Sequence, residues 1–574
     1  MEMASESPAL DGLPREVEAK LHAPDPAALG LGPLSDALAP DYRLLPTGRV
    51  AMADAYCDTA AFDLLRAGYA FRVRGAPEGV KVTVKSLDRS EFDDVVTQRL
   101  ELEGRVADPA RPLDPAGWPT DLRELVAAHL GHAARLAPYA VLRQERDEYR
   151  VLAGGNLAPG NGWPTLAVLS VDDAAVYDPV RSKRAAMASI TTVLSGGTPV
   201  GRLGELEIEL QGAGTEDDVR TVAGRLQERF GLAKSAGSKL ERALDLLADH
   251  WPDAPAVDAE ATAPAPGGLT PDMPMAEAGR LMWRRQLMTV LLTEAGARRG
   301  ADIEYVHEMR VATRRARAVA RLFGPYFKPK AVAAFLKDLR RTARALGAVR
   351  DLDVALAKLA KYARGLDEAE RDALQELAAE WRIERRVAYR DLVTWLDSRP
   401  YRGFIAEFAA FCHTPGAGAL PLASSVGSSP RPYQVRHVMP SAILNRFEQV
   451  RAYEPLFESA RPQPHETLHA LRIDCKALRY SLEPVDHLLG EEGRALVKQL
   501  KALQDLLGDL NDAAVAHERL RNLQSDGLPP AGLDDYLAHQ VALQHELAER
   551  APDAWRAFVS AENRQLVALA VAHL

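Results

Sequence analysis

Hydrophobic and polar positions alternate near the start of the chain. In "PREVEAKLHAP", residues 14–24, Glu16, Glu18 and Lys20 take every second position, with Val17, Ala19 and Leu21 between them. Strand side chains point to opposite faces with period two. The segment therefore predicts a strand with charge on one face and apolar groups on the other. The alternation recurs in "YAFRVRG", "GVKVTVKSL", "QRLELEGRV", "AVLRQERDEYRV", "TLAVLSVDDAAVY" and "GELEIELQG". One helix, roughly Glu216 to Phe230, follows the last of these. Many strands with few helices between them predict an antiparallel barrel or sandwich.

The pattern changes beyond "HWPDAPAVDAEATAPAPGGLTPDM", a Pro-, Ala- and Gly-rich stretch without hydrophobic period that reads as a linker. After it, long segments rich in Ala, Leu, Arg and Glu take the helical period, as in "AAFLKDLRRTARALGAVRDLDVALAKLAKYA" and "LDEAERDALQELAAEWRIERRVAYRDLVTWL". They predict a helical bundle. The bundle repeats itself. "HEMRVATRRARAVARLF" from His307 matches "HALRIDCKALRYSLEPV" from His469, and the segments that follow align Gly347 with Gly508 and Asp351 with Asp512. "TPGAGALPLASSVGSSPRPYQV" at 414–435 parts the two copies. The expected organisation is a tunnel or barrel domain at 14–250, a linker at 251–274, and a helical domain at 275–574 with repeats at about 275–413 and 436–574.

Composition narrows the picture modestly. A chain of 574 residues exceeds one ordinary core. A net charge of −9 argues against bulk nucleic-acid binding but allows a local basic groove. The three cysteines, Cys57, Cys412 and Cys475, have no metal-ligand spacing and suggest a reducing compartment. No apolar run is long enough to span a bilayer, and the N-terminus does not read as a signal peptide, so a cytoplasmic bacterial-type protein is expected.

Charge on one strand face is ordinarily just solvated. Here it accumulates across strands. Arg72 and Arg74 share a face, as do Lys81, Thr83 and Lys85; Arg99, Glu101 and Glu103; and Glu205, Glu207 and Glu209. Apolar residues outside and charges inside describe a closed barrel with a hydrophilic lumen. Basic groups there suit phosphate oxygens. Paired carboxylates would repel a polyanion unless a divalent cation bridges them, and hard oxygen ligands suit Mg²⁺ or Mn²⁺. On this reading Glu16 and Glu18 hold metal and Lys20 holds phosphate.

The Glu-x-Glu-x-Lys run at Glu16, Glu18 and Lys20 resembles the CYTH domain of the triphosphate tunnel metalloenzymes. The likeness covers about residues 14–245 and includes "YCDTAAFDLLRAGYAFRVR", "VTVK", "RLELEG", "LSVDD", "LEIELQG" and "KSAGSKLERAL" in the family's order. It implies an eight-stranded antiparallel tunnel that binds a triphosphate and divalent cations. By position, Lys20, Arg72, Arg74, Lys85 and Arg143 would bind phosphates, and Lys239 would cap one end. Glu16, Glu18, Glu207 and Glu209 would hold metal, with Glu101, Glu103 and Asp172 as further metal candidates. Glu16, Glu18, Lys20, Glu207 and Glu209 would form the catalytic set, for phosphoryl transfer to water.

The helical half carries rows of one sign. His307, Arg310, Arg314, Arg317 and Arg321 step by three and four, as do His469, Arg472, Lys476 and Arg479, so each row shares a helix face. Val311, Val319, Leu322, Ile473 and Leu482 take other faces. Like charges at this spacing destabilise a helix, which suggests a bound polyanion. These segments resemble the CHAD domain, over about residues 275–574. "VHEMRVATRRARAVARLF" and "RALGAVRDLDV" carry the likeness, and "LLGDLNDAAV" is the second copy, with Asn511 in place of Arg350. The resemblance implies polyphosphate binding. Lys337, Arg340, Arg341, Arg344, Lys498 and Lys501 add to the basic set by charge and helical position.

The expected activity is metal-dependent hydrolysis of inorganic triphosphate, with polyphosphate bound by the helical half and with association with polyphosphate granules as a possibility. The alternatives are a non-catalytic granule protein, or an enzyme acting on thiamine triphosphate or a nucleotide, including as an adenylyl cyclase. Aromatic residues are only 6% of the chain and none interleave with the basic rows, which argues against nucleic acid.

Overall fold

The computed structural model describes residues 15–76, 79–87, 96–130, 135–154, 164–179, 199–249, 269–420, 432–458, 463–525 and 533–574. Most of the expected linker, 251–268, lies outside them. The chain divides into two compact units, Met1–Gly268 with Leu291–Gly296, and Leu269–Val290 with Ala297–Leu574.

The first unit contains β1 (Arg15–His22), β2 (Tyr42–Asp58), β3 (Tyr69–Ala76), β4 (Gly79–Ser86), β5 (Val96–Arg105), β6 (Ala137–Ala153), β7 (Thr165–Tyr177) and β8 (Gly201–Leu210). They close in the order β1-β5-β4-β3-β2-β6-β7-β8, every pair antiparallel. Alternation decides which face points outward. Ala19, Leu21, Leu169, Val171, Leu206 and Ile208 form one external core with α1 (Leu31–Leu38) and α3 (Glu216–Phe230). Phe71, Val73, Val82, Val84 and Leu102 form another with α2 (Thr120–His129). Each large aliphatic side chain so buried contributes about 1.5–3 kcal/mol, so turning a strand over would expose this set and bury charge.

β2 is the strand that alternation does not announce. Its pairing with β6 slips between Pro46 and Gly48, where the pattern breaks. Helix α3 runs as its period predicts, opened by a Thr215–Asp218 capping box and ended by Gly231 at φ 66°. Helix α4 (Lys239–Asp249) is also capped reciprocally: Ser238 N donates to Glu241 Oε2 at 2.7 Å, and Glu241 N donates to Ser238 Oγ at 3.2 Å. This cap sets Lys239 as the first helical residue, facing the lumen. At the start of β8, a Cβ on Gly204 would lie 1.8 Å from the Ala23 carbonyl oxygen, so only glycine permits this approach beside Glu205.

The second unit is helical: α5 (Met275–Arg299, apart from Leu291–Gly296), α6 (Ile303–Phe323), α7 (Pro329–Ala363), α8 (Gln375–Asp397), α9 (Arg399–Cys412), α10 (Val435–Arg451), α11 (His465–Leu482), α12 (Gly490–Ser525), α13 (Leu533–Phe558) and α14 (Ala561–Ala572). Trp283 is buried against Phe327, Phe335 and Phe411 and donates its Nε1–H to the Ala316 carbonyl at 2.8 Å. The first basic row lies on α6 and the second on α11, each followed by a long helix, α7 and α12. Val319 and Leu482 are buried as their positions predict, whereas Ile473 is 47% exposed. Among the described residues no helix is long and apolar enough to cross a membrane.

Candidate functional site

The inner barrel face encloses a cavity of about 330 Å³. One wall joins β1, β6, β7, β8 and the start of α4. Register sets Lys20 opposite Glu207, and the Lys20 ammonium lies 2.5 Å from Glu18 and 2.6 Å from Glu207. Arg146 forks onto Asp172 with two bonds of 2.7 Å and donates a third, also 2.7 Å, to Glu207. Lys239 reaches Asp172 at 2.5 Å and Glu205 at 3.2 Å, and Arg242 pairs with Glu205. On the other wall Lys85 lies 2.7 Å from both Glu16 and Glu101. Arg74 forks onto Asp54 at 2.7 and 2.8 Å. Arg72 sits 3.6–3.8 Å from Asp54, Glu101 and Glu103, and Lys81 is 2.8 Å from Glu103.

The cations are thus neutralised by carboxylates of the same lumen, and the balance sets their protonation. Burial pulls the Lys20 amine down, but Glu18, Glu207 and Glu205 outweigh it and hold it charged. Burial pushes the Glu207 carboxyl up, but Lys20, Lys239 and Arg146 hold it well below the usual range. Asp172 is lowered against burial by Lys239 and Arg146. Three carboxyls go the other way. Glu16 is raised by burial and by its hydrogen bond to Glu101, and Glu18 by burial and the nearby Glu207. Glu209 is pushed to about 7 by burial, Glu16 and Glu207.

The oxygen-only donor set fits a hard divalent cation. Asp172, Glu205 and Glu207 can each offer a ligand atom, all within 4.8 Å of one another. Neither oxygen of the fully buried Glu18 makes a hydrogen bond, its neighbour being the Lys20 ammonium. A cation beside these carboxyls would relieve the repulsion that raises Glu16, Glu18 and Glu209.

Glu16, Glu18, Lys20, Arg72, Arg74, Lys85, Glu101, Glu103, Asp172, Glu207, Glu209 and Lys239 all belong to this lumen. Arg143 does not. It lies over the Tyr177 ring, 4.3 Å from its centroid, on the face that joins Val141 to the external core. Arg146, of opposite parity, takes the lumen place. The run "RQERDE" is polar at every position, so its phase cannot be read from alternation. Glu101 and Glu103 sit among Arg72, Lys81 and Lys85 rather than in the Asp172–Glu205–Glu207 group. Glu205 shares the inward parity of Glu207 and Glu209, and that parity could have placed it with them. Asp54 is placed by β2, which alternation missed.

In the second unit the two basic rows meet. Besides burial, Arg314 of α6 feels Arg310, Arg479 and Arg315, and Arg472 of α11 feels Arg314 and Arg310. Lys476 is pulled down to about 8 by burial and by Arg472, Arg314 and Arg310. Burial also lowers Arg317, with Arg321 and Arg340 adding to the effect. Among the described residues, Arg314, Arg317, Arg321, Arg472 and Lys476 have no ion-pair partner. Others of the basic set are engaged. Arg310 pairs with Asp351 at 3.2 Å, and Arg479 with Glu483 at 2.6 Å. Arg341 lies over the Trp395 ring at 3.9 Å. His469 Nδ1 is 2.8 Å from Asn511 Oδ1, whereas His307 Nδ1 is buried without a hydrogen bond, its pKa lowered by burial and by Arg350. Lys337, Arg340 and Arg344 of α7 and Lys498 and Lys501 of α12 are exposed.

A closed antiparallel barrel with a charged lumen is followed by a helical unit with a cationic cluster. The family comparisons divide the chain in the same way. The CYTH domain family matches residues 14–244 and the CHAD domain family residues 281–521. The chain is therefore a CYTH domain followed by a CHAD domain.

Solved structures with similar parts include the CHAD domain from the plant Ricinus communis, at 22% identity and TM-score 0.40, covering 53% of this chain and 98% of that one. A candidate adenylyl cyclase from Hippeastrum, described as having a dominant triphosphatase activity, matches at 22% identity and TM-score 0.26, covering 39% of this chain and 93% of that one. PptA from Streptomyces chartreusis matches at 16% identity and TM-score 0.37, over 51% and 99%. No curated protein matches the chain.

Proposed function

We propose that the barrel hydrolyses inorganic triphosphate to pyrophosphate and phosphate with Mg²⁺ or Mn²⁺, and that the helical unit binds polyphosphate. The observation that carries the reading is the lumen's self-neutralised charge. Lys20, Arg72, Arg74, Lys85, Arg146 and Lys239 each hold a carboxylate where a phosphate oxygen can substitute. A chain of phosphates lies along such a lumen by exchanging ion-pair partners, so the cations need no new positions.

Asp172, Glu205 and Glu207, with Glu18 beside them, would hold the cation. When bound, it supplies charge neutralisation and lowers the pKa of water. The protein's own groups do the rest. The arginines fork onto phosphate oxygens and fix the chain, Lys20 and Lys239 neutralise the charge that develops on the departing phosphate, and Glu207 stays ionised beside them. Glu209, whose carboxyl is pushed up to about 7 by burial, Glu16 and Glu207, would accept a proton. In the helical unit, Arg314, Arg317, Arg472 and Lys476 supply unneutralised positive charge for a polyphosphate chain.

Phosphate release by the full chain tests this, with inorganic triphosphate, ATP, thiamine triphosphate and long-chain polyphosphate, each with Mg²⁺, Mn²⁺ or chelator. Metal-dependent release from inorganic triphosphate well above the others is expected. Preference for ATP or thiamine triphosphate would reassign the substrate. No release from any of them, with polyphosphate still bound, would make this a binding protein.

A further inference from the structure

A groove of about 260 Å³ lies between α6, α10 and α11 and shares Arg321 with the cationic cluster. Its apolar lining is Ala318 and Leu322 of α6, Ala442 of α10 and Ala477 of α11. Three alanines at one helix junction leave a slot where larger side chains would close it. Its polar lining is Arg321, Asn445, Arg446, Gln449, Tyr480 and Ser481, and no acidic residue lines it. Ser481 Oγ donates to the Leu478 carbonyl at 2.7 Å; among the described residues the other five side chains form no ion pair or side-chain hydrogen bond. Arg321, one of the unpaired arginines, lines the groove itself, and Tyr480 lies close enough to Arg314, Arg317 and Arg472 to act on their charge.

A bare phosphate chain has no use for the apolar slot, or for the mixed donors and acceptors of Asn445 and Gln449. We propose that this groove is a nucleotide site: a flat, neutral base lies against Tyr480 and the alanine lining, with Asn445 and Gln449 on its edge and its phosphates on Arg317 and Arg321. An aromatic face, amide groups and flanking arginines are the side chains that recognise a base and its phosphates. The site rests on the reading that the neighbouring arginines bind phosphate, and it adds selectivity for an organic head group that inorganic polyphosphate lacks.

Photolabelling of the full chain with 8-azido-ATP in chelator, followed by peptide mapping, tests it. Label is expected on peptides from α10 or α11, with ATP protecting at about tenfold lower concentration than inorganic triphosphate. Ala442→Phe, which fills the slot, should reduce that label about tenfold while polyphosphate binding, measured in parallel, is unchanged. Arg446→Ala, on the exposed rim, provides a second variant that does not disturb packing and should also weaken labelling. The proposal fails if label appears only on barrel peptides, if inorganic triphosphate protects as well as ATP, or if neither variant changes labelling. Equal loss of ATP labelling and polyphosphate binding in folded Ala442→Phe would also overturn it, because the groove would then be part of the polyphosphate track. If wild type binds no polyphosphate yet labels in the groove, the phosphate-chain reading fails and the nucleotide site stands.

Discussion

Single residues set the chemistry of the lumen, and strand parity separates Arg146 from Arg143. Arg146→Ala removes charge-assisted bonds of about 1.5–3 kcal/mol. It should therefore raise the KM for inorganic triphosphate by roughly 10- to 100-fold. Arg143→Ala should leave the KM within about twofold, since its guanidinium lies over Tyr177 outside the lumen. Steady-state kinetics of the two variants decides it, and equal effects would place both arginines on the substrate. Glu209 gives a pH prediction. Its folded pKa, about 7, lies above the ordinary 4.5. Its neutral form therefore favours the folded state, and this stability is complete below 4.5 and lost as pH rises to 7. A bound divalent cation favours the ionised form, so Mg²⁺ should raise the melting temperature more at pH 8 than at pH 5.5. Melting curves with Mg²⁺ and with chelator measure this, and a shift independent of pH would exclude Glu209 from the cation's surroundings.

At the scale of elements, α6 and α11 carry cations that the helices do not neutralise. Removing one should stabilise the free protein and weaken its polyanion binding. Lys476→Met is expected to raise stability by about 1 kcal/mol, since it keeps the buried stem and deletes the repelled charge. Polyphosphate affinity should fall several-fold at low salt. Denaturation and binding curves of one variant test both, and a loss of stability would show that Lys476 has a partner. The pH sign is also defined. Because the folded pKa of Lys476, about 8, lies below the ordinary 10.5, the penalty on the free protein is full below 8 and is relieved as pH rises from 8 towards 10.5. Polyphosphate should therefore bind with proton uptake near pH 8, which calorimetry in buffers of different ionisation enthalpy detects. The elements differ in how readily they are read from sequence. β1 and α3 follow from clean alternation and a capped helical period. β2 does not, because Pro46 and Gly48 interrupt the pattern at its bulge.

At the scale of the whole molecule, the two proposed phosphate sites sit in a chain with net charge −9. Long-range attraction of a polyanion to the average surface is therefore absent, and binding depends on local clusters. The two sites should be separable by mutation. Arg314→Glu with Arg472→Glu should abolish polyphosphate binding and leave triphosphate turnover within about twofold. Glu207→Gln should lower turnover by at least about 100-fold while polyphosphate still binds in chelator. Loss of both properties in either variant would show that the sites are coupled.

Where strands alternate cleanly, the sequence by itself determined which faces are apolar and which are charged, and it determined the helical rows of His307 and His469. Both are periodic properties of local backbone geometry, in which a side chain's direction follows from its position along the element. Only the tertiary structure decided which charges meet. Barrel closure brings Lys20 of β1 beside Glu207 of β8, and it groups Asp172 with Glu205 and Glu207. Packing of α6 against α11 brings Arg314 beside Arg472. These pairs are far apart in the chain, and their partners follow from register and closure, which cooperate over whole elements. Arg146 also belongs here, because in a run that is polar at every position only the pairing of β6 with β2 and β7 fixes which side chains turn inward.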